Sequence, residues 1–240
     1  MDAPSPLKTI TTADKAFFND RGYLSLPSFV DADWLERLGA VTARIVEESR
    51  DVTESDSDKF DVEGDHTAEN PRLRRLMKPQ DHDPVYEEFA RAGPIVDLAE
   101  DLLGPDIKFH HGKLNFKWAD GGAEVKWHQD IPFWPHTAYN VLTIGLALAD
   151  ITEEMGPMGV LPGSHQGPVY DHYSDKGDWQ GFIGEDDAAG LDPGAARQAW
   201  AWPPQAVGAA PLGRDYPGQS GSPPRHKSSL FHRQPSASQA

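Results

Sequence analysis

Two residues of types that bind transition metals, His128 and Asp130, stand two positions apart. In an extended strand they would project to the same side, with Gln129 facing away, because successive side chains alternate. An imidazole and a carboxylate together make two of the three ligands in the facial triad that holds non-haem Fe(II). Aromatic residues on both sides could wall a water-poor pocket: Trp127, Phe133 and Trp134. The pattern predicts a metal site that still needs a third ligand.

The composition excludes several partners and several kinds of chemistry. The 240 residues include 38 acidic and 22 basic side chains, which gives a net charge of −16. Affinity for phosphate backbones comes from Lys and Arg, so we expect neither nucleic acid nor an anionic membrane surface as a partner. A chain without cysteine forms no disulfide, thiolate nucleophile or zinc–thiolate site. Ten histidines and many carboxylates suit a metal bound through nitrogen and oxygen.

The sequence carries no signal for export or membrane insertion. Residues 1–6 lack a basic region followed by an apolar run. No apolar segment approaches the roughly 20 residues that span a bilayer. The sequence therefore predicts a soluble, cytoplasmic protein.

Four helices are predicted from capping residues and apolar spacing. Thr11 is the expected cap of the first helix, with Asp14 three residues later in its first turn. The second begins at Asp31 and has apolar residues at three- and four-residue spacing: Trp34, Leu35, Leu38, Val41 and Ile45. The last two begin at prolines and span residues 84–89 and 94–103.

Strands are predicted mainly after the helices. Residues 23–26 and 107–118 alternate in polarity, and residues 141–148 form an apolar run of strand length. A glycine pair at 121–122 indicates a turn before the His128 strand, and residues 50–70 read as an acidic loop. Strands and helices do not alternate regularly, so we expect a mainly β fold, an antiparallel sheet or barrel with packed helices.

The C-terminal segment, residues 193–240, differs in composition from the rest of the chain. It is rich in Pro, Ala and Gly, has a single acidic residue, Asp215, and a single β-branched residue, Val207. Chains so poor in strand formers seldom supply interior strands. We therefore predict a domain over residues 1–192 and a loop or disordered tail over residues 193–240.

In combination, the motifs resemble the phytanoyl-CoA dioxygenase-like family of Fe(II)- and 2-oxoglutarate-dependent oxygenases. The segments that carry the resemblance occur in the family's order: the opening helix and strand at 16–24, Lys-Pro-Gln-Asp-His-Asp-Pro at 78–84, Lys-Leu-Asn-Phe-Lys at 113–117, Trp-His-Gln-Asp at 127–130, and Pro-Gly-Ser-His at 162–165. The resemblance covers roughly residues 10–190.

This resemblance implies a double-stranded β-helix, or jelly roll, with helices on one side. It implies iron bound by His128, Asp130 and a distal histidine, and 2-oxoglutarate contacted by Lys78 and Lys113. The implied reaction consumes molecular oxygen and 2-oxoglutarate and hydroxylates an unactivated carbon of a small molecule. Asp130 favours hydroxylation over halogenation, since related halogenases replace this carboxylate to make room for chloride.

The sequence departs from the family where the distal histidine and its accompanying arginine should lie. No histidine occurs between His172 and His226, and neither His226 nor His232 is followed by Gly-Ser. We take His226 as the candidate third ligand and Arg225 as the candidate 2-oxoglutarate clamp, with His232 and Arg233 as alternatives. The jelly roll would then be incomplete at its C-terminal end.

Three explanations of this departure stay open. The tail has been replaced, by a frame change, an alternative exon or truncation; the enzyme is divergent and uses His226 or His232; or a two-ligand site works. A substitute ligand, His172, is a weaker alternative because it lies in an irregular loop.

Two rival functions also follow from the sequence. A catalytically impaired jelly-roll protein could bind a small acid or a protein through the remaining pocket. A sugar-binding jelly roll without metal would account for the aromatic cluster, but not for the ordered series of motifs.

Overall fold

The computed structural model describes residues 6–56, 58–118, 125–134, 140–149, 151 and 158–191. It also describes four strands beyond residue 191, of which the backbone is described without the side chains.

Six helices occur in the described residues, and five of them precede the metal motif, which we define as residues 128–130. Thr11 and Asp14 form a capping box at the start of α1, and Asp31 caps α2. Proline occupies the first turn of α3, α4 and α5, where its missing N–H has no helical partner to lose. The bounds are α1 Thr12–Arg21, α2 Ala32–Glu48, α3 Pro79–His82, α4 Pro84–Ala92, α5 Pro94–Leu103 and α6 Glu185–Ala189.

Eleven described strands form three antiparallel sheets. Their bounds are β1 Leu24–Leu26, β2 Phe60–Val62, β3 Leu73–Met77, β4 Ile107–Phe109, β5 Lys113–Asn115, β6 Val141–Leu146, β7 Gly159–Val160, β8 Arg197–Gln198, β9 Val207–Pro211, β10 Asp215–Tyr216 and β11 Leu230–Arg233. The sheet orders are β1-β9-β6-β11-β4, β10-β7-β8 and β2-β3-β5.

The central strand, β6, separates two environments. Leu142, Ile144 and Leu146 belong to the main core, which they share with apolar residues of the helices. Val141 instead packs with Ile131 beside the metal motif. Since side chains alternate along a strand, one face of β6 packs on the helical core and the other faces the metal motif.

The four helices expected from the sequence are confirmed, with small differences at their ends. The buried strand predicted at 141–148 is β6, with every residue from Val141 to Leu146 buried. Two strand predictions need correction. The loop predicted over residues 50–70 contains β2, and the single arm predicted over 107–118 splits into β4 and β5, which join different sheets. The turn predicted at 121–122 lies outside the described residues.

The prediction of loop over residues 193–240 is wrong at four strands. Two of them lie inside the five-stranded sheet: β9 pairs with β1 and β6, and β11 pairs with β6 and β4. Backbone N–H and C=O groups make these ladders, so a segment with few β-branched residues can pair when neighbouring strands already offer partners. The remaining positions of this segment are not described, and the domain boundary at residue 192 stays a prediction.

No helix in the described part of the chain combines the length and the apolar character needed to cross a membrane.

Candidate metal centre

His128 and Asp130 face each other, with 3.3 Å between His128 Nε2 and Asp130 Oδ1. Both are buried, at 8% and 6% exposed. The prediction of a regular strand through this motif is wrong. His128 makes an isolated bridge, whereas Asp130 has helical backbone angles (φ −73°, ψ −27°) and precedes a short 3-10 turn, Ile131–Phe133. The side chains therefore converge because the chain bends at Asp130.

Hydrogen bonds fix the atoms that each side chain can offer to a metal. His128 Nδ1 lies 2.9 Å from the carbonyl oxygen of Lys126, so Nδ1 carries the proton and Nε2 keeps its lone pair. Thr143 Oγ1 donates to Asp130 Oδ2 at 3.1 Å. The opposite oxygen, Oδ1, is the one near His128 Nε2. One nitrogen and one oxygen are thus presented side by side, a donor pair that suits Fe(II).

A third donor does not appear beside this pair within the described residues: no group there brings together three or more metal-binding side chains. His226 and Arg225, the ligand and clamp expected from the sequence, lie outside the described residues. His232 lies in β11, where its Cα is in register with that of Val141.

His172, the weaker alternative ligand, is next to the metal motif but is already engaged. It is 1% exposed, and its Nε2 accepts the backbone N–H of Gln129 at 2.9 Å. Its Nδ1 lies 3.0 Å from the carbonyl oxygen of Tyr170 and donates to it. Burial lowers the pKa of His172 and favours the neutral ring that these two contacts require.

Lys78 lies at the edge of a cavity of about 300 Å³ close to the metal motif. The cavity is lined by Lys78, Gln80, Asp81, Glu87, Ala90, Arg91, Phe109, His110 and His111. The rings of His110 and His111 lie 5.4 and 4.6 Å from the ring of Trp134, four residues after Asp130. Lys78 has a left-handed backbone (φ 48°) and directly precedes α3.

Lys113 lies on β5, in register with Met77 of β3, and so neighbours Lys78 across the sheet. Burial lowers the pKa of His111 to about 4, the charges of His110, Lys113 and Lys78 lower it too, and Asp130 acts in the opposite direction. Both lysines and the Asp130 carboxylate therefore act on one imidazole. The structure brings Lys78 and Lys113 to neighbouring positions near His111.

Sequence reasoning missed three contacts that shape this centre. Thr143 is the one hydroxyl in the buried run of β6, a signal that was visible in the sequence. Gln129 was noted only as facing away from the metal, and its partners at Pro168 and Tyr170 had no recognisable pattern.

Comparison with known proteins gives the context for this geometry. The family profile named Phytanoyl-CoA dioxygenase (PhyH) matches residues 18–202, which include the metal motif, Lys78 and Lys113. The chain belongs to the phytanoyl-CoA dioxygenase family. The resemblance drawn from the ordered motifs is thereby confirmed.

Two relatives differ in the substrate that their names state. The chain is 36% identical over 159 residues to a probable alpha-ketoglutarate-dependent hypophosphite dioxygenase of Stutzerimonas stutzeri, covering 64% of this chain and 53% of that protein. It is 40% identical over 104 residues to the L-proline trans-4-hydroxylase of Streptomyces griseoviridis, covering 41% and 39%. The chain thus spans about half the length of the curated relatives it matches, or less.

A solved structure shares the fold. The crystal structure of EctD from S. alaskensis with 2-oxoglutarate and 5-hydroxyectoine aligns with a TM-score of 0.71 at 23% identity, covering 93% of this chain and 75% of that one. The expected combination of antiparallel sheets with packed helices is confirmed at this level.

Proposed function

We propose that this family member is an Fe(II)- and 2-oxoglutarate-dependent dioxygenase that hydroxylates an unactivated carbon of a small molecule. The observation that carries the proposal is the buried pair of His128 and Asp130, whose Nε2 and Oδ1 atoms lie 3.3 Å apart. When bound there, iron would activate molecular oxygen with 2-oxoglutarate as co-substrate, so that one oxygen atom converts a C–H bond to C–OH, the other enters succinate, and carbon dioxide is released.

The chain's own residues would hold, orient and shield the reacting groups. His128 and Asp130 bind the metal, and Thr143 keeps Asp130 Oδ2 turned away so that Oδ1 can coordinate. Lys78 and Lys113 attract the carboxylates of 2-oxoglutarate. Phe133 stands with its ring 6.0 Å from that of His128 and limits access of water.

We propose His232, the alternative to His226, as the third metal ligand, and the support is the backbone register of the central sheet. Thr143, which contacts Asp130, shows which face of β6 meets the metal motif. Position 232 stands opposite Val141 on that same face, because directly opposed residues of antiparallel strands share a face. The sheets β1-β9-β6-β11-β4 and β10-β7-β8 would then be the two layers of a jelly roll. His226, the ligand first expected, precedes β11.

The cavity beside Trp134 indicates the size and polarity of the substrate. About 300 Å³ is at the small end of ligand pockets, and its lining carries Lys78, Asp81 and two imidazoles, beside the mutually paired Glu87 and Arg91. A small polar or zwitterionic molecule fits this lining better than an acyl-CoA thioester. Relatives named for L-proline and hypophosphite, both small, agree with this assignment.

Anaerobic titration with Fe(II) and 2-oxoglutarate tests the proposed function. The wild-type protein should develop the weak visible charge-transfer band of the iron–2-oxoglutarate chelate and should form succinate once air is admitted. His128→Ala and Asp130→Ala should lose both signals, because each removes a ligand. His165→Ala is the matched control, since His165 contacts the carbonyl oxygen of Asn19 and not the metal motif. A wild-type protein with neither band nor succinate would exclude the enzyme.

The same titration separates the candidate distal ligands. His232→Ala should weaken Fe(II) binding by roughly 10- to 100-fold or more. His226→Ala should leave it unchanged. The reverse result would assign the ligand to His226.

A catalytically impaired binding protein is the second candidate, and it is favoured by the absence of a third donor among the described side chains. Such a protein would bind 2-oxoglutarate without iron, show no band, and respond to neither histidine substitution. Equilibrium dialysis with labelled 2-oxoglutarate in the presence of a chelator identifies this outcome.

A further inference from the structure

Gln129 is the middle residue of the metal motif, yet it faces away from the metal and is 2% exposed. Its side chain joins the motif to a segment about 40 residues later. Gln129 Nε2 donates to the Pro168 carbonyl at 2.9 Å, and Gln129 Oε1 accepts the Tyr170 backbone N–H at 2.7 Å. We call residues 168–183 the strap.

His172 of the strap completes the connection through the backbone of the motif. Its Nδ1–H donates to Tyr170 and fixes the tautomer, which leaves Nε2 as the acceptor for the Gln129 N–H. The amide that His172 holds belongs to the peptide between His128 and Gln129. Rotation of that peptide would move His128 and Asp130 relative to each other.

Aromatic rings hold the His172 imidazole in place. Trp179 stacks on it, with the centroids 5.9 Å apart and the planes 18° from parallel, and Phe133 meets it edge-on at 6.1 Å. At the far end of the strap, the Ile183 N–H donates to the Trp127 carbonyl at 2.8 Å. The strap therefore makes hydrogen bonds to the backbone on both sides of His128, at the Trp127 carbonyl and at the Gln129 N–H.

We propose that His172 is a positioning residue for the metal motif: its Nε2 holds the Gln129 amide and thereby sets the spacing of His128 and Asp130. The proposal rests on the proposed function for its consequence, the affinity for iron. His172 is not a metal ligand in this arrangement, because one ring nitrogen carries the proton and the other accepts a protein hydrogen bond. Through Gln129 and His172, residues far apart in sequence would set the spacing of His128 and Asp130 without contacting the metal.

Two amide substitutions test directly the role of His172 Nε2 as the acceptor of the Gln129 N–H. His172→Gln places an amide oxygen near the position of Nε2, whereas His172→Asn reaches only the position of Nδ1. In the metal-free protein, we expect hydrogen exchange of the Gln129 amide to quicken about tenfold or more in His172→Asn and to stay near the wild-type rate in His172→Gln. Amide-resolved exchange by NMR measures this difference. Fe(II) affinity, from the anaerobic titration, should fall roughly 10- to 100-fold in His172→Asn and recover in His172→Gln.

His66 provides a matched control away from the motif. Its ring also bridges two backbone groups, with Nδ1 accepting the Arg72 N–H and Nε2 near the Ser49 carbonyl. His66→Asn should lower thermal stability without changing Gln129 exchange or Fe(II) affinity.

Unchanged Gln129 exchange in His172→Asn would overturn the proposal. Equal acceleration in His172→Asn and His172→Gln would overturn it too, since ring packing rather than the Nε2 acceptor would then be responsible. The two proposals fail separately: a wild-type protein that binds no Fe(II) refutes the enzyme, while the exchange comparison still decides whether His172 positions the motif.

Discussion

At the scale of single residues, neighbouring groups fix the orientation of each candidate ligand. Lys126 occupies Nδ1 of His128, and Thr143 occupies Oδ2 of Asp130. The remaining pair, Nε2 and Oδ1, is the one that meets. Outer contacts of this kind set ligand orientation and commonly alter metal affinity by one or two orders of magnitude.

Thr143→Val should weaken Fe(II) binding roughly 10-fold, because it removes the hydroxyl that orients Asp130 while keeping the side-chain volume. Thr143→Ser keeps the hydroxyl and should bind iron nearly as the wild type does. Anaerobic Fe(II) titration with 2-oxoglutarate present compares the three proteins. Equal Fe(II) affinities in all three proteins would show that the Thr143 hydroxyl does not orient Asp130 for metal binding.

At the scale of elements, a buried carboxylate of α5, Asp101, binds the backbone of the segment before α1. Asp101 is 4% exposed and accepts hydrogen bonds from the backbone N–H groups of Lys8, Thr9 and Ile10 and from the Thr9 hydroxyl. Burial raises the pKa of Asp101, but the donors outweigh it, so the pKa lies below the ordinary value. This contact secures Ile10, which belongs to the main core.

The Asp101 contact should make stability depend on pH. Because its folded pKa is lowered, Asp101 stabilises the fold above its unfolded pKa of about 4, and this contribution is lost as pH falls through the folded pKa. Asp101→Asn should lower the free energy of unfolding at pH 7 by roughly 2 kcal/mol and flatten its decline below pH 5. Urea denaturation between pH 3 and pH 7 measures both effects.

Asp97→Asn is the control for Asp101. Asp97 pairs with the Lys8 ammonium at 2.6 Å, but both side chains are half exposed. An exposed ion pair contributes roughly 0–1 kcal/mol, so this variant should change little. An equal loss in the free energy of unfolding in the two variants would mean that the removed negative charge, rather than the buried hydrogen bonds of Asp101, causes the destabilisation.

At the scale of the whole molecule, the central sheet depends on the C-terminal segment. Strands β9 and β11 lie on either side of β6, and β9 joins it to β1 from the start of the chain. A sheet that loses both neighbours of its central strand leaves a row of unpaired backbone groups beside apolar side chains.

A chain ending after residue 191 should therefore fail to fold into a stable monomer. We expect a broad, non-cooperative thermal transition and aggregation on size-exclusion chromatography. A chain ending after residue 233 retains β11 and should behave as the full chain does. If the shorter chain unfolds as cooperatively as the full one, the tail strands do not support the sheet, and a replaced tail becomes the better explanation of the missing family pattern.

Local signals in the sequence were sufficient for four of the six described helices and for the main strand. Helix starts depend on contacts with the adjacent backbone, as at Thr11, Asp31 and the prolines. They can therefore be predicted without knowledge of the tertiary structure. The buried strand β6 could be predicted because the length and the apolar character of its sequence are local features as well. Strands β9 and β11 of the tail could not be predicted, because pairing partners more than 60 residues away supply their hydrogen bonds.

The sequence by itself determined the family and identified His128 and Asp130 as the candidate metal ligands. The types and order of the motifs establish membership in the phytanoyl-CoA dioxygenase family, and His128 and Asp130 follow from residue type and spacing. Only the tertiary structure decided how that pair is held, since the strap contacts of Gln129 and the Thr143 hydrogen bond join segments distant in sequence. Residue type and spacing along the chain show which nearby side chains can act together. The orientation of a buried side chain depends instead on the groups that the fold packs against it, and these can be distant in sequence.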